Sequence, residues 1–159
     1  METRLANEYD IDGWMHLVGK VKNHFPGLET KQALAEHRNT VLDFIHKQSA
    51  ICAIVEDRIV GVLLFSKENN MLCFLAVDAE YRRQHIGEKM VSHMLSLLDD
   101  KKDVVVTTYR EGDPEGIAAR AFYKHLGFVE GKLRSEFGSP VQEFVFHPSS
   151  RKGSVGENT

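Results

Sequence analysis

Several features that mark particular classes of protein are scarce or missing in this sequence. Only two cysteines, Cys52 and Cys73, occur in 159 residues, and they lie in apolar runs without the paired spacing of a zinc site. We therefore expect two reduced core residues and a cytoplasmic setting. The eight histidines lack the His-x-x-x-His spacing of a helical metal pair, so the sequence predicts no metal. No apolar run approaches the roughly 18 residues of a membrane span, and none resembles a secretory segment.

A strong excess of charge of one sign is also missing. The formal net charge is −3 at pH 7, which argues against non-specific binding of nucleic acid. The hydrophobic fraction of 42% and the charged fraction of 27% are typical of a soluble globular protein. From length and composition we predict one domain over residues 1–147. A disordered tail is expected over residues 148–159, where Ser, Gly, Lys and Asn dominate.

The hydrophobic periodicity predicts two amphipathic helices followed by a region of strands with intervening helices. Asp10 or Asp12 is a candidate cap for the first helix and Thr30 for the second. The later elements are strands at 50–55, 59–65 and 72–77, a helix at about 85–99, a strand at 104–108, a helix at 117–126, a strand beginning at 128 and a strand at 141–146. Because a helix connects strands 72–77 and 104–108, we expect these two to be parallel. Gly61, inside its strand, indicates a bulge or a close approach.

The stretch from Phe74 to Val91 is the part of the chain best suited to bind an anion. Its polar loop carries Arg82 and Arg83, and Gly87 lies in the first turn of the following helix. A helix N-terminus presents free N–H groups and the positive end of the helix dipole, which favours phosphate. The stretch has neither a Gly-Lys-Ser/Thr nor a Gly-x-Gly-x-x-Gly motif, so it is not a Walker or dinucleotide loop. The alternative is an ordinary strand–helix turn with solvated arginines.

The segment Ala121-Phe-Tyr-Lys-His-Leu-Gly-Phe128 is a second feature with chemical potential. Phe122 and Leu126 lie one helical turn apart and are predicted to face the core. The phenol of Tyr123 is able to donate a proton to a leaving thiolate. The alternative is a tyrosine at the edge of the core with its hydroxyl in water.

Taken together, Val77-Asp-Ala-Glu-Tyr-Arg-Arg-Gln-His-Ile-Gly87 and the later Ala121–Phe128 segment resemble the GNAT superfamily of N-acetyltransferases. The family pattern is Arg/Gln-x-x-Gly-x-Gly/Ala, followed by a helix ending in Phe-Tyr-x-x-x-Gly-Phe. The resemblance covers residues 50–146. It implies an α/β (α+β) fold: a mixed, mostly antiparallel sheet of six or seven strands, a splayed parallel pair of fourth and fifth strands, and about four helices. It also implies an acyltransferase that uses acetyl-coenzyme A as cosubstrate and transfers acetyl to a primary amine by direct attack in a ternary complex.

The resemblance assigns roles to individual residues. The backbone of residues 83–88 would bind the pyrophosphate of coenzyme A, and the backbone of residues 75–77 would bind the pantetheine arm. Tyr123 would act as the general acid. Independently of the resemblance, an attacking amine needs a base, and Glu111 is favoured for that role over Asp113, Glu29 and Glu36; the alternative is a solvated loop carboxylate. The full set of cofactor-binding candidates is Leu75, Ala76, Val77, Arg82, Arg83, Gln84, His85, Ile86, Gly87, Glu88 and Phe122.

This sequence departs from the family pattern at two places. His85 stands where the family has the first motif glycine. Gly116 and Ile117 occupy the region where an asparagine often precedes the tyrosine.

The acceptor and the assembly stay open at the level of sequence. The predicted acceptor is a small-molecule or peptide amine, and no nucleic acid or membrane partner is expected. Its pocket is predicted to be lined by Trp14, His24, Phe25, Glu29, Tyr109, Arg110, Glu111, Arg134 and Glu136. The protein is expected to be a monomer or a homodimer that pairs through the strand at 141–146. A non-catalytic acyl-coenzyme A sensor or interaction module on the same fold is the alternative function, and an unrelated α/β binding domain is a third.

Overall fold

The computed structural model describes residues 1–25 and 27–148, and most of the predicted tail, from residue 149, lies outside this part of the chain. The strands and α-helices of the described residues are β1 Glu2–Leu5, α1 Ile11–Val21, α2 Lys31–His46, β2 Ala50–Val55, β3 Arg58–Ser66, β4 Met71–Val77, α3 Ile86–Leu97, β5 Val104–Tyr109, α4 Ile117–His125, β6 Val129–Glu136 and β7 Ser139–Phe146. Among these residues, no helix combines the length and apolar character that crossing a membrane requires.

The strands form one seven-stranded sheet in the order β1-β2-β3-β4-β5-β7-β6. β4 and β5 are parallel, with Met71 opposite Val105 near the start of each strand. The neighbours β1/β2, β2/β3, β5/β7 and β6/β7 are antiparallel. The predicted mixed sheet with a parallel pair of fourth and fifth strands is therefore confirmed.

The local signals that begin and end the helices mostly act as predicted. The Thr30 hydroxyl accepts a hydrogen bond from the Ala33 N–H at 3.0 Å and caps α2. Gly127, just after α4, has a φ of +99°, as a glycine that ends a helix often does. Asp10 precedes α1 but makes no capping bond to it. Its carboxylate instead pairs with the Arg4 guanidinium at 2.8 Å and accepts the Asn7 N–H.

The described chain forms two compact units. Unit 1 consists of Met1–Lys67 and Cys73–Leu97. Its core contains Trp14 and Val18 from α1 and Val41 from α2, packed with apolar residues of β2 and β3. Trp14 is 0% exposed, so its predicted place in an acceptor pocket is wrong: the residue belongs to the core face of an amphipathic helix.

Unit 2 consists of Glu68–Leu72 and residues 98–148 of the described chain. Aromatic rings dominate its interior. Phe128 packs between Tyr123 and Phe146, with ring centroids 5.6 and 5.2 Å away, and Phe144 lies 6.1 Å from Tyr123. Helix α4 therefore packs on strand β7 through these rings.

The expectation of two core cysteines holds for Cys52 and is wrong for Cys73. Cys52 is buried in β2, whereas Cys73 is exposed in β4. Successive side chains of a strand point to opposite faces. Leu72 and Ala76 are the buried residues of this strand, and Cys73 lies on the other face. A continuous apolar run does not reveal this alternation.

Candidate functional site

Asp78 fixes the backbone between the end of β4 and the loop that precedes α3. Its carboxylate accepts the N–H of Glu80 at 3.0 Å, at the start of a short 3-10 turn, Ala79–Tyr81. The Lys20 ammonium of α1 donates a second hydrogen bond at 3.1 Å. Burial alone would raise the pKa of Asp78, but these two donors hold that pKa below its ordinary range. Asp78 is a positioning residue that the sequence reasoning missed.

The sign of the backbone angle φ alternates along residues 83–85 of the loop. Arg83 has a φ of +68° and His85 a φ of +60°, while Gln84 between them keeps a negative φ. Alternating backbone conformations of this kind are typical of nests, in which successive N–H groups point to one side and are suited to an anion. His85 thus adopts the conformation that a glycine in its place would reach without strain. The side chains of residues 82–85 are all exposed.

Helix α3 begins directly after this loop, at Ile86. Its first residues, Ile86, Gly87 and Glu88, have N–H groups that a helix cannot satisfy internally. The Lys89 N–H is the first to bond back along this segment, to the His85 carbonyl at 3.0 Å. The positive end of the helix dipole therefore adds to the N–H groups of the loop.

Gly61 in β3 allows α3 to approach the sheet closely. A Cβ at this position would lie 2.7 Å from the Cε of Met90 and 3.0 Å from the Cγ2 of Ile86. A side chain here would push the flexible end of Met90 aside and press on Ile86, so glycine gives α3 its closest fit to the sheet. The close approach indicated by the sequence is confirmed, and it places the start of α3 firmly on unit 1.

A cavity of about 140 Å³ in unit 1 brings several predicted residues together. It is lined by Val21, His24, Phe25, Leu75, Ala76, Val77 and Arg82. Beside it, the Phe74 ring packs against Phe25 at 4.5 Å and against His37 at 4.9 Å. Three of the lining residues are those predicted to contact the pantetheine arm, and Arg82 belongs to the predicted phosphate loop. A larger cavity, of about 450 Å³, lies near Arg4 and Lys20. None of the residues predicted for catalysis or cofactor binding lines it.

His37 was not among the candidate residues. Its Nε2 is buried and has no hydrogen-bond partner in residues 1–25 and 27–148. Burial lowers the pKa of His37, so the ring is held in its neutral form. No local signal in the sequence indicates that its ring packs against Phe74.

Unit 2 holds the two predicted catalytic side chains, Tyr123 and Glu111. Tyr123 is 7% exposed, and its burial raises the pKa of the phenol well above its ordinary range. The raised pKa keeps the phenol protonated at neutral pH. Its neighbour Phe122 is half-buried, with ring centroids 5.3 Å apart. Glu111 is exposed in the turn after β5, and its role stays a prediction.

Arg120 anchors the helix that carries Tyr123. It is 6% exposed, and it donates to the Tyr109 carbonyl at 2.9 Å and to Gln142 Oε1 at 2.7 Å. A third bond, to Glu130 Oε1, is 2.7 Å long. The guanidinium lies 4.9 Å from the centre of the Phe144 ring, on which Tyr123 also packs. A charged residue one turn before Tyr123 was the only sequence signal for this anchor.

Arg110 braces the β6–β7 hairpin. It donates to the Val141 carbonyl at 3.2 Å and to the Arg134 carbonyl at 2.8 Å. Its guanidinium is thus engaged with backbone, which makes it a poor candidate for the acceptor pocket predicted from the sequence.

The chain was compared with known proteins, and residues 47–130 match the model of the acetyltransferase (GNAT) domain. This match covers more than half of the chain, and the protein therefore belongs to the GNAT acetyltransferase family. A curated relative, the ribosomal protein bS18 alanine N-acetyltransferase of Escherichia coli strain K12, is 35% identical over 63 residues. That alignment covers 40% of this chain and 41% of the relative.

Solved structures show the same fold at low identity. An N-acetyltransferase from Staphylococcus aureus Mu50 has a TM-score of 0.73 and 16% identity, covering 91% of this chain and 100% of that one. The PaiA N-acetyltransferase of Thermoplasma acidophilum in complex with coenzyme A has a TM-score of 0.65 and 16% identity. Its alignment covers 89% of this chain and 96% of that one.

Family membership implies the use of acetyl-coenzyme A, and the donor groups of the loop fit that group. A pyrophosphate needs several N–H donors and positive charge in one place. The alternating φ values at Arg83 and His85, the free first turn of α3 and the guanidinium groups of Arg82 and Arg83 belong to one short segment of unit 1. The histidine in the motif glycine position does not abolish the loop conformation.

Proposed function

We propose that this protein transfers the acetyl group of acetyl-coenzyme A to a primary amine. The observation that carries the proposal is the left-handed conformation of Arg83 and His85 immediately before the N-terminus of α3. A loop of this shape is suited to a pyrophosphate, and it occurs at the family's motif position. Acetyl-coenzyme A supplies an acetyl group activated as a thioester.

In this proposal the residues of β4 bind the pantetheine arm of the cosubstrate. The backbone groups of Leu75, Ala76 and Val77 border the 140 Å³ cavity and would hydrogen-bond to the amides of the pantetheine arm. A backbone N–H of this strand would polarise the thioester carbonyl, where negative charge develops during attack. The half-buried ring of Phe122 is proposed to contact the cosubstrate as well.

Proton transfer is assigned to Tyr123 and to a base. Tyr123 is protonated and buried, and it would donate its proton to the departing thiolate. The attacking amine must first lose a proton, and Glu111 is the proposed acceptor of that proton, directly or through water. Holding both reactants together would supply much of the rate without a covalent enzyme intermediate.

The nature of the acceptor is taken from the curated relative. That enzyme is named for acetylating an alanine of a ribosomal protein. We therefore propose a peptide or protein amine, in the cytoplasm, and an N-terminal alanine peptide is the first acceptor to try. Small amines such as polyamines and amino acids complete the panel.

Replacing Tyr123 by phenylalanine tests the proposal. Because only the proton donor is removed, we expect Tyr123→Phe to lower kcat by about 100-fold. The Kd for coenzyme A should change by less than about twofold. Thiol release measures turnover with the amine panel, and isothermal titration calorimetry measures binding.

Tyr9→Phe is the matched control, because Tyr9 is 97% exposed and should leave both values unchanged. Undiminished turnover in Tyr123→Phe would contradict the assigned role of Tyr123. Tight binding of coenzyme A without thiol release from any amine would favour a non-catalytic acyl-coenzyme A sensor.

A further inference from the structure

The cavity of about 450 Å³ in unit 1 contains no residue of the acetyl-transfer site proposed above. It lies between α1 and the sheet, and one face of the helix lines it with Gly13, His16, Leu17 and Lys20. A helix that packs on a sheet normally presents apolar side chains to it, but of these four only Leu17 is apolar and buried. The protein therefore does not fill this space, and its volume lies in the range of small-molecule sites.

The sheet supplies an apolar floor beside a carboxylate. Glu2 of β1 is paired with Ile54 of β2, and Ile54 is paired with Ile59 of β3. Side chains of paired residues lie on the same face of a sheet, so these three form one row across the strands. Both isoleucines are half-buried, which leaves apolar surface open to a ligand.

The turn between β2 and β3 presents two charges of opposite sign at the edge of this floor. Asp57 and Arg58 directly precede Ile59 and line the cavity. Glu56 and Asp57 have φ values of +49° and +63°, which is the backbone of a tight two-residue hairpin turn. The turn therefore holds both charged residues at fixed positions in the backbone.

The remaining charged side chains of the lining are already paired within unit 1. The Arg4 guanidinium binds both carboxylate oxygens of Asp10, at 2.8 and 2.9 Å, and Lys20 donates to Asp78 at 3.1 Å. Three charged groups of the lining make no ion pair with a residue of 1–25 or 27–148, and these are Glu2, Asp57 and Arg58. The cavity thus offers a ligand one cation and two carboxylates beside an apolar floor.

We propose that this cavity is a second binding site of the protein, for a free α-amino acid with an apolar side chain, and that the amino acid bound there weakens the binding of coenzyme A. An α-amino acid carries its ammonium and its carboxylate on one carbon, which matches charges on neighbouring residues. Its ammonium would lie between Glu2 and Asp57, and its carboxylate at Arg58. Its side chain would cover Ile54 and Ile59. The two carboxylates of the lining disfavour a phosphate or a nucleotide in the same place.

Lys20 connects this cavity with the loop that precedes α3. Lys20 lines the cavity and also binds Asp78, whose carboxylate fixes the backbone before the loop. Burial raises the pKa of Asp78, the Glu80 N–H and Lys20 lower it, and the charge of Arg58 lowers it as well. A ligand carboxylate between Lys20 and Arg58 competes with Asp78 for both cations, so the loop loses part of its support. This step rests on the proposed function, because it assumes that the loop binds coenzyme A.

The site is tested by isothermal titration calorimetry of the full chain with L-leucine in the absence of coenzyme A. We expect a Kd of about 1 mM or below, which a ligand of this size reaches with ordinary efficiency per atom. Leucinamide lacks the carboxylate, and N-acetyl-leucine lacks the ammonium. Each should bind about tenfold more weakly than leucine, because each leaves one of the charged contacts unmade.

Two variants remove the charged contacts from the side of the protein. Arg58→Met and Asp57→Asn should each weaken leucine binding about tenfold. Both residues are exposed, and asparagine tolerates the left-handed φ at position 57, so both variants should fold. Arg38→Met is the matched control, because Arg38 is exposed on α2 and does not line the cavity. It should leave leucine binding unchanged.

The effect on the cosubstrate is measured by titrating coenzyme A with and without saturating leucine. We expect leucine to raise the Kd for coenzyme A about fivefold in wild type and to leave it unchanged in Arg58→Met. By reciprocity, saturating coenzyme A should raise the Kd for leucine by the same factor.

Absence of leucine binding by wild type would overturn the site. So would equal leucine binding by wild type and Arg58→Met, or equal binding of leucine and its two capped forms. Leucine binding that leaves the affinity for coenzyme A unchanged would overturn the coupling through Lys20. If wild type binds no coenzyme A at all, the proposed function and the coupling both fail, whereas the leucine titration still decides the site.

Discussion

His85 and Arg83 have a positive backbone angle φ, whereas Gln84 between them has a negative one. Left-handed φ costs a residue with a Cβ about 1–2 kcal/mol, because the Cβ crowds the following carbonyl oxygen. The loop contains two such residues in three positions. The strain is tolerated because Asp78 and the packed start of α3 hold the two ends of the loop.

Replacing His85 with glycine should therefore stabilise the protein. We expect His85→Gly to raise the free energy of unfolding by about 1 kcal/mol, since glycine reaches this φ without strain. Denaturation in urea measures the change. Gln84→Gly is the control one residue away: its φ is negative, so the substitution relieves no strain and should destabilise by up to about 1 kcal/mol. Equal effects of the two substitutions would contradict the account of the loop.

At the scale of an element, Arg120 holds helix α4 to the strands beside it. Arg120 connects α4 to a carbonyl of β5 and to side chains of β6 and β7. Lys124, one turn later, reaches the same Glu130 oxygen at 2.8 Å, but its side chain is 53% exposed. Buried hydrogen bonds to a charge contribute far more than exposed ion pairs, so these two cations differ in importance.

Paired methionine substitutions measure that difference. Arg120→Met should lower the free energy of unfolding by about 3 kcal/mol, because it removes the buried charged donor of the Gln142 amide oxygen and the bond to the Tyr109 carbonyl. Lys124→Met should have an effect several-fold smaller. Urea denaturation followed by circular dichroism gives both values. Similar losses in the two variants would show that Arg120 is not the anchor of α4.

At the scale of the whole molecule, the proposed cosubstrate should act as a stabiliser. A ligand that binds only the folded state adds about 2.7 kcal/mol at a concentration one hundred times its Kd. For a chain of 159 residues this corresponds to a rise in Tm of about 5–10 °C. Calorimetry with coenzyme A measures the shift. Pantetheine, which lacks the pyrophosphate, should produce a much smaller one, and an equal shift would argue against a phosphate site at residues 82–88.

The sequence by itself determined the elements and the family. Alternating and helical apolar patterns are local, and so are a capping threonine at Thr30 and the glycine at Gly127. The parallel pairing of β4 and β5 follows from the helix that connects them. The two family motifs, at residues 77–87 and 121–128, each lie within one element and its adjoining loop. They could therefore be recognised from the sequence as well.

Only the tertiary structure decided which polar residues hold the site in place. Lys20 and Asp78 are 58 positions apart in sequence, and Arg120 and Gln142 are 22 apart, so no local pattern links them. Cys73 is exposed because it lies on the face of β4 opposite to the buried Leu72 and Ala76. The left-handed φ of His85 lies between the hydrogen-bonded Asp78 and the packed start of α3, and it runs against the intrinsic preference of the residue. Long-range contacts override local preference at such positions, and those contacts exist only once the chain has folded.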